Sequence, residues 1–135
     1  MMICQVPYLP ESLLRFRNFA ILRGMLHIGG RKGTFSDADT RRYMRTWSVP
    51  GAVTGMVNWY RALRRRPPID NPRVKPPTLV IWGNRDPYLQ KGLAEASLSL
   101  CDNGEALWME DGSHWVHIEE PQVVNKALID FLTRS

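Results

Sequence analysis

Asp86 and His114 are the two residues whose types and surroundings could move a proton. Asp86 stands in Trp82-Gly83-Asn84-Arg85-Asp86-Pro87 and His114 in Asp111-Gly112-Ser113-His114-Trp115. Each follows a short apolar run, Thr78-Leu79-Val80-Ile81-Trp82 in one case and Ala106-Leu107-Trp108-Met109 in the other. Such runs, bounded by Pro76-Pro77, Gly83 and Asn103-Gly104, read as buried parallel strands. Residues just beyond the carboxyl ends of parallel strands line the crevice where ligands bind, so the two side chains are expected within hydrogen-bonding range. A carboxylate facing one imidazole nitrogen fixes the tautomer and stabilises the imidazolium, which frees the other nitrogen to take a proton from water or a nucleophile. A structural alternative uses the same residues: Asp86 before Pro87 caps the following helix and His114 is a loop histidine.

The remaining candidates carry less chemistry. Tyr60 beside Trp59 in a helical stretch is expected to pack against the sheet. His117 follows His114 by three positions, but no Cys or carboxylate cluster completes a zinc set, so no metal is expected. His27 next to Gly29-Gly30 reads as a surface residue. Those glycines lack the strand-turn-helix context of a dinucleotide loop, so no cofactor is expected either. Cys4 and Cys101 show no disulfide-scaffold spacing and read as reduced thiols in a cytoplasmic protein.

The elements that position these residues change character along the chain. Tyr8 to Leu26 repeats apolar residues loosely at helical spacing and predicts one or two short helices. Glycines break the pattern at residues 28–33. Ser36-Asp37-Ala38-Asp39 is a helix start that should run to about Trp47, and Pro50-Gly51 interrupts it. A further helix from about Ala52 carries Val53, Met56, Val57, Tyr60 and Leu63 and should stop at Pro67-Pro68. The rear reads as strand, helix from about Leu89 to Leu100, strand, loop, and a helix from Pro121 to about Leu132. The front is therefore helical and the rear α/β.

With 135 residues, 44% of them hydrophobic, the chain can bury one modest core. It is short for a doubly wound sheet with an inserted lid, since each strand-helix-strand crossover takes about 30 residues. The net charge of +5 divides unevenly. Residues 1–77 hold fourteen Lys or Arg against four acids, and residues 78–135 hold four against nine. Attraction between the two segments is expected. Specific nucleic-acid binding is not, because Arg64-Arg65-Arg66 reads as a solvated helix end without aromatic platforms. The apolar start Met1-Met2-Ile3 stops too soon for a signal segment or a membrane span.

Trp82-Gly83-Asn84-Arg85-Asp86 and Gly112-Ser113-His114-Trp115-Val116-His117-Ile118-Glu119-Glu120-Pro121 resemble the α/β-hydrolase superfamily. The stretch from Tyr43 through Pro50-Gly51-Ala52 to Asn58-Trp59-Tyr60-Arg61 narrows the resemblance to epoxide hydrolases of the soluble type. The resemblance implies a partial α/β-hydrolase fold, with a helical lid over residues 1–70 and the C-terminal part of the core over 71–135. It further implies a small apolar epoxide as substrate of the complete parent enzyme. An aspartate on a strand-to-helix turn attacks a ring carbon, lid tyrosines hydrogen-bond the leaving oxygen, and histidine-activated water hydrolyses the resulting ester. On this chain His114 would be the base, Asp86 its orienting acid and Tyr43 one ring-opening tyrosine, with the basic front helices as a lid above His114.

The family's Gly-x-Asp-x-Gly nucleophile turn and His-Gly-x-Pro oxyanion segment are absent from this sequence. The chain is therefore expected to be inactive alone. A haloalkanoate dehalogenase relative, which shares the aspartyl-ester chemistry, is the alternative enzyme. A non-enzymatic interaction module that self-associates through an exposed sheet edge is the alternative of a different class.

Overall fold

The computed structural model describes residues 2–65, 70 and 72–134. The chain divides into two compact units, Met1–His27 with Phe35–Ile69, and Ile28–Thr34 with Asp70–Ser135.

The first unit is helical. A 3-10 turn at Met2–Gln5 precedes α1 (Leu9–Ile28), which is followed by α2 (Asp37–Ser48) and α3 (Ala52–Ala62). The expected one or two short helices before the glycines are realised as α1 with a break. Phe16 is extended, and Arg17, Asn18 and Phe19 have φ of 48°, 56° and 60°, so the helix is two pieces joined by a kink. The break lets Phe19 bury its ring against Trp47, with centroids 5.9 Å apart. Ser36 caps α2 as expected: its hydroxyl accepts the Asp39 amide while the Asp39 carboxylate accepts the Ser36 amide, a reciprocal capping box. Val53 and Val57, one helical turn apart, are the most deeply buried side chains of α3.

Arg61 near the end of α3 ties down the amino-terminal segment. Its guanidinium donates to Cys4 O and Val6 O, to Asn58 Oδ1, and to both oxygens of Glu11. The planar fork matches a carboxylate in this way, and the charge-assisted bonds hold the Glu11 carboxyl below its ordinary value. Trp59 and Tyr60, expected to pack against the sheet, correct the sequence reading: they are 67% and 44% exposed. The expected stop at Pro67-Pro68 lies outside the described residues, and α3 already gives way to a 3-10 turn at Leu63–Arg65.

The second unit is α/β. β1 (Thr78–Gly83) and β2 (Gly104–Met109) pair in parallel from Thr78 opposite Gly104 to Gly83 opposite Met109, and α4 (Lys91–Ser99) makes the crossover. Val74 extends the ladder backwards as an isolated parallel bridge with Cys101. The short helix α5 (Val116–Glu119) and α6 (Pro121–Thr133) follow. Met109, Val116 and Val124 form the core of this unit, with Ile81 and Leu107 packed against them. Pro121 opens α6 where its missing amide costs nothing. Among the described residues, no helix is long and apolar enough to cross a membrane.

The capping box gives the first prediction. Ser36→Ala removes the acceptor for the Asp39 amide and should lower stability by about 1 kcal/mol. Chemical denaturation followed by far-UV circular dichroism measures the loss.

Candidate active site

The carboxyl ends of β1 and β2 release two loops that cross in close contact. An added Cβ on Gly83 would lie 2.2 Å from Ser113 O and 2.5 Å from Gly112 C. One on Gly112 would lie 2.8 Å from Val116 Cγ1 and 2.9 Å from Met109 Cβ. Backbone hydrogen bonds exploit the approach: Asn84 N donates to Met109 O and Arg85 N to Gly112 O, each at 2.9 Å. Outside the crossing, Asn84 Nδ2 donates to Glu110 at 2.8 Å and Arg85 pairs with Asp111 at 2.6 Å. The second pair is well exposed and contributes little to stability.

From these loops Asp86 and His114 meet, with His114 Nδ1 and Asp86 Oδ2 2.8 Å apart. The Asp86 side chain is 7% exposed and that of His114 32%. The other oxygen of Asp86 accepts from Tyr88 N at 2.8 Å and Leu89 N at 3.1 Å. These are turn amides: α4 begins only at Lys91, with Gln90 at its N-cap, so Asp86 does not cap the following helix. An ionised carboxylate only accepts, so the pair requires the proton on Nδ1 and leaves Nε2 as the acceptor. Tyr88 and Trp115 stand edge-on to the imidazole, with centroids at 5.2 and 5.1 Å. Burial, and then the Asp86 charge, push the Tyr88 phenol above its ordinary value, so it stays neutral.

Tyr43 belongs to the other unit. It lies on α2 between Phe35 and Trp47, with ring centroids 5.8 and 5.9 Å away. His27, read as a surface residue, is exposed and has Nε2 3.0 Å from Thr40 Oγ1. His117 lies on α5 with its ring 6.1 Å from that of Trp115.

A second buried acid supports the His114 loop. Glu119, at the end of α5, has a side chain with no exposed surface. Its Oε1 accepts from Arg31 N at 2.7 Å and Thr34 Oγ1 at 3.2 Å, and its Oε2 accepts from Ser113 N at 2.9 Å. The Ser113 hydroxyl lies between Glu119 Oε1 and Gly29 O, and His114 N donates to Gly29 O at 3.0 Å. Arg31 also pairs with Glu120 at 2.6 Å. Burial pushes the Glu119 carboxyl up. The Arg31 amide, the hydroxyl and amide of Ser113 and the Thr34 hydroxyl outweigh that and hold it below its ordinary value.

No protein-family model matches the chain. Over 129 residues, 95% of its length, the chain is 35% identical to the AB hydrolase superfamily protein YfhM of Bacillus subtilis (strain 168), of which it covers 45%. It is 34% identical to Epoxide hydrolase 2 of Caenorhabditis elegans, over 97% of this chain and 39% of that protein. The structure of a Bacillus megaterium epoxide hydrolase in complex with an inhibitor aligns with a TM-score of 0.80 at 26% identity, over 96% of this chain and 49% of that one. The fold is that of the α/β-hydrolase superfamily, in its epoxide-hydrolase-like form. The chain spans less than half the length of these relatives.

Within this epoxide-hydrolase-like fold, sequence reading overlooked Ser113, Glu119 and Tyr88 as individual residues of the site. Glu119 reads as an ordinary acid in a short helix before Pro121, and nothing local says that its side chain turns inward. The only signal was its place in the Gly112 to Pro121 stretch.

Gly83→Ala should cost about 3 kcal/mol, the upper part of the overpacking range, because backbone rather than a flexible side chain blocks the new methyl. Denaturant unfolding measures it. Glu119 makes a prediction about pH. Its folded-state acidity exceeds the unfolded one, so its contribution is present above the carboxylate range and is lost as the pH falls through that range. Between about pH 6 and about pH 3, wild type should lose more stability than Glu119→Gln, which has no proton to take up there. Parallel stability curves would show that Glu119 contributes nothing to the acid sensitivity.

Proposed function

We propose that this chain supplies the water-activating half of an epoxide-opening hydrolase, with His114 as general base and Asp86 as the acid that orients it. The observation that carries the reading is the 2.8 Å contact of His114 Nδ1 with a buried Asp86. It leaves Nε2 as the basic atom. The named epoxide hydrolases among the relatives supply the reaction class.

In this reading an aspartate oxygen attacks one epoxide carbon, the carbon–oxygen bond of the ring breaks, and the alkoxide takes a proton from a tyrosine, the role proposed for Tyr43 on the helical lid. His114 Nε2 then takes a proton from water as hydroxide adds to the ester carbonyl; collapse expels the second oxygen of the diol, which takes the imidazolium proton, and the resulting carboxylic acid returns its proton to the tyrosinate, restoring the carboxylate. The sequence contains no Gly-x-Asp-x-Gly turn to present the attacking aspartate. Asp37 and Asp39 lie in the first turn of α2, where Asp39 completes the capping box, and Asp111 pairs with Arg85. The chain by itself therefore performs neither ester formation nor turnover. Losing even one donor to a developing oxyanion costs about 3 kcal/mol, and this chain lacks the nucleophile as well as the His-Gly-x-Pro donors.

Two assays test the reading. The purified chain, given a reactive aryl epoxide, should form diol no faster than buffer. Multiple turnover that disappears in His114→Ala would overturn the assignment and require another nucleophile. Joined behind the preceding portion of the Bacillus subtilis relative, the chain should form diol. There His114→Ala should cut turnover at least about 100-fold, the lower end for general-base catalysis, and trap the alkyl ester as a mass increase. A chimera that keeps its activity with His114→Ala would reject His114 as the base.

A further inference from the structure

The position of His114 against Asp86 is held from two sides. Asp86 comes from the loop after β1, anchored by the Gly83–Gly112 crossing. The other side is the 29–34 loop, which reaches His114 through backbone and buried polar contacts: His114 N on Gly29 O, and Ser113 Oγ against the same carbonyl. That loop is fastened in turn by Glu119, which accepts from Arg31 N and Thr34 Oγ1 with one oxygen and from Ser113 N with the other.

We propose that Glu119 is a positioning residue for His114, setting where the imidazole stands against Asp86 by clasping the 29–34 loop and Ser113 together. The inference rests on the reading of His114 and Asp86 as the base and its orienting acid. The Glu119 side chain has no exposed surface, so no ligand or solvent role competes for its oxygens. Its donors come from both sides of the join, Arg31 and Thr34 on one and Ser113 on the other, so the carboxylate connects them rather than serving either alone. Only an acceptor at both oxygens satisfies this arrangement. A glutamine would place an NH2 against the Arg31 or the Ser113 amide, donor against donor, inside a buried site. Functional groups need their supporting contacts to hold them to about half an ångström, so a loosened clasp should appear first at the imidazole. The edge-on rings of Tyr88 and Trp115 constrain its plane but come from the Asp86 and His114 loops themselves and offer no independent anchor.

The test is the tautomer of His114, read by nitrogen NMR of the 15N-histidine-labelled full chain. Wild type should show His114 as the Nδ1–H form with a slowly exchanging ring proton. Glu119→Gln should lose that proton signal and gain a population of the Nε2–H form, and Ser113→Ala should do the same to a smaller extent. Val124→Ala, in the core of the same unit, should lower the melting temperature and leave the His114 signal unchanged. Asp86→Asn should remove the signal directly. A folded Glu119→Gln with the wild-type signal overturns the proposal, and loss of the signal in Asp86→Asn alone then leaves the functional reading standing. An Asp86→Asn variant that keeps the wild-type signal rejects the functional reading itself. If Glu119→Gln does not fold, Ser113→Ala decides, and an unchanged signal there overturns the proposal. Loss of the signal in Val124→Ala as well would reduce Glu119 to general stability and overturn it too.

Discussion

Gly83 and Gly112 meet backbone to backbone at the carboxyl end of the two-stranded sheet, and the loops that carry Asp86 and His114 start from that contact. The space left for a side chain is negative: a Cβ on Gly83 would sit 2.2 Å from a carbonyl oxygen. Removing both Cβ atoms lets Arg85 N reach Gly112 O, so the crossing is hydrogen-bonded as well as tight. The conformational entropy that two glycines lose on folding is the cost of this approach. The return is that residues far apart in sequence face each other without relying on long, flexible side chains.

Two buried carboxylates divide the work around this crossing, and their partners explain why each is tolerated out of water. Asp86 accepts two backbone amides with one oxygen and faces His114 with the other. Glu119 accepts from backbone amides and hydroxyls. A buried charge is costly unless hydrogen-bonded, and amide donors fixed by the chain supply most of those bonds, with the Arg31 guanidinium 3.5 Å from Glu119 Oε2 as a further partner. Asp86 keeps one oxygen at an edge where the imidazole remains about one-third exposed. Glu119 is closed off entirely. That difference in access leaves one carboxylate beside a partly exposed imidazole and seals the other away from solvent.

Much of this arrangement was legible in the chain. Apolar runs bounded by proline and glycine located β1 and β2, Ser36 with Asp39 announced the start of α2, and Pro121 the start of α6, because each depends on local preferences of the backbone. The pairing of Asp86 with His114 also followed from sequence, since a parallel crossover forces both strand ends to one side. The break inside α1 was not legible. Leu13, Leu14, Phe16 and Phe19 continue a helical spacing, and the departure at 16–19 goes with the burial of Phe19 against Trp47. Trp59 and Tyr60 misled in the other direction, since an aromatic pair on a helix suggests packing and the structure leaves both exposed.

Sequence alone determined the α/β character of the rear, the helical character of the front and the two loops on which a histidine and an aspartate meet. These follow from short-range patterns and one topological rule. Tertiary structure decided which polar groups are buried and what satisfies them. Glu119, Glu120 and Asp111 are equivalent as acidic letters near His114, yet Glu119 alone of the three is sealed inside, because the 29–34 loop delivers amide and hydroxyl donors to it across eighty-odd positions of sequence. No local propensity encodes that delivery, since the stability of a buried charge depends on donors that only the folded chain brings within reach.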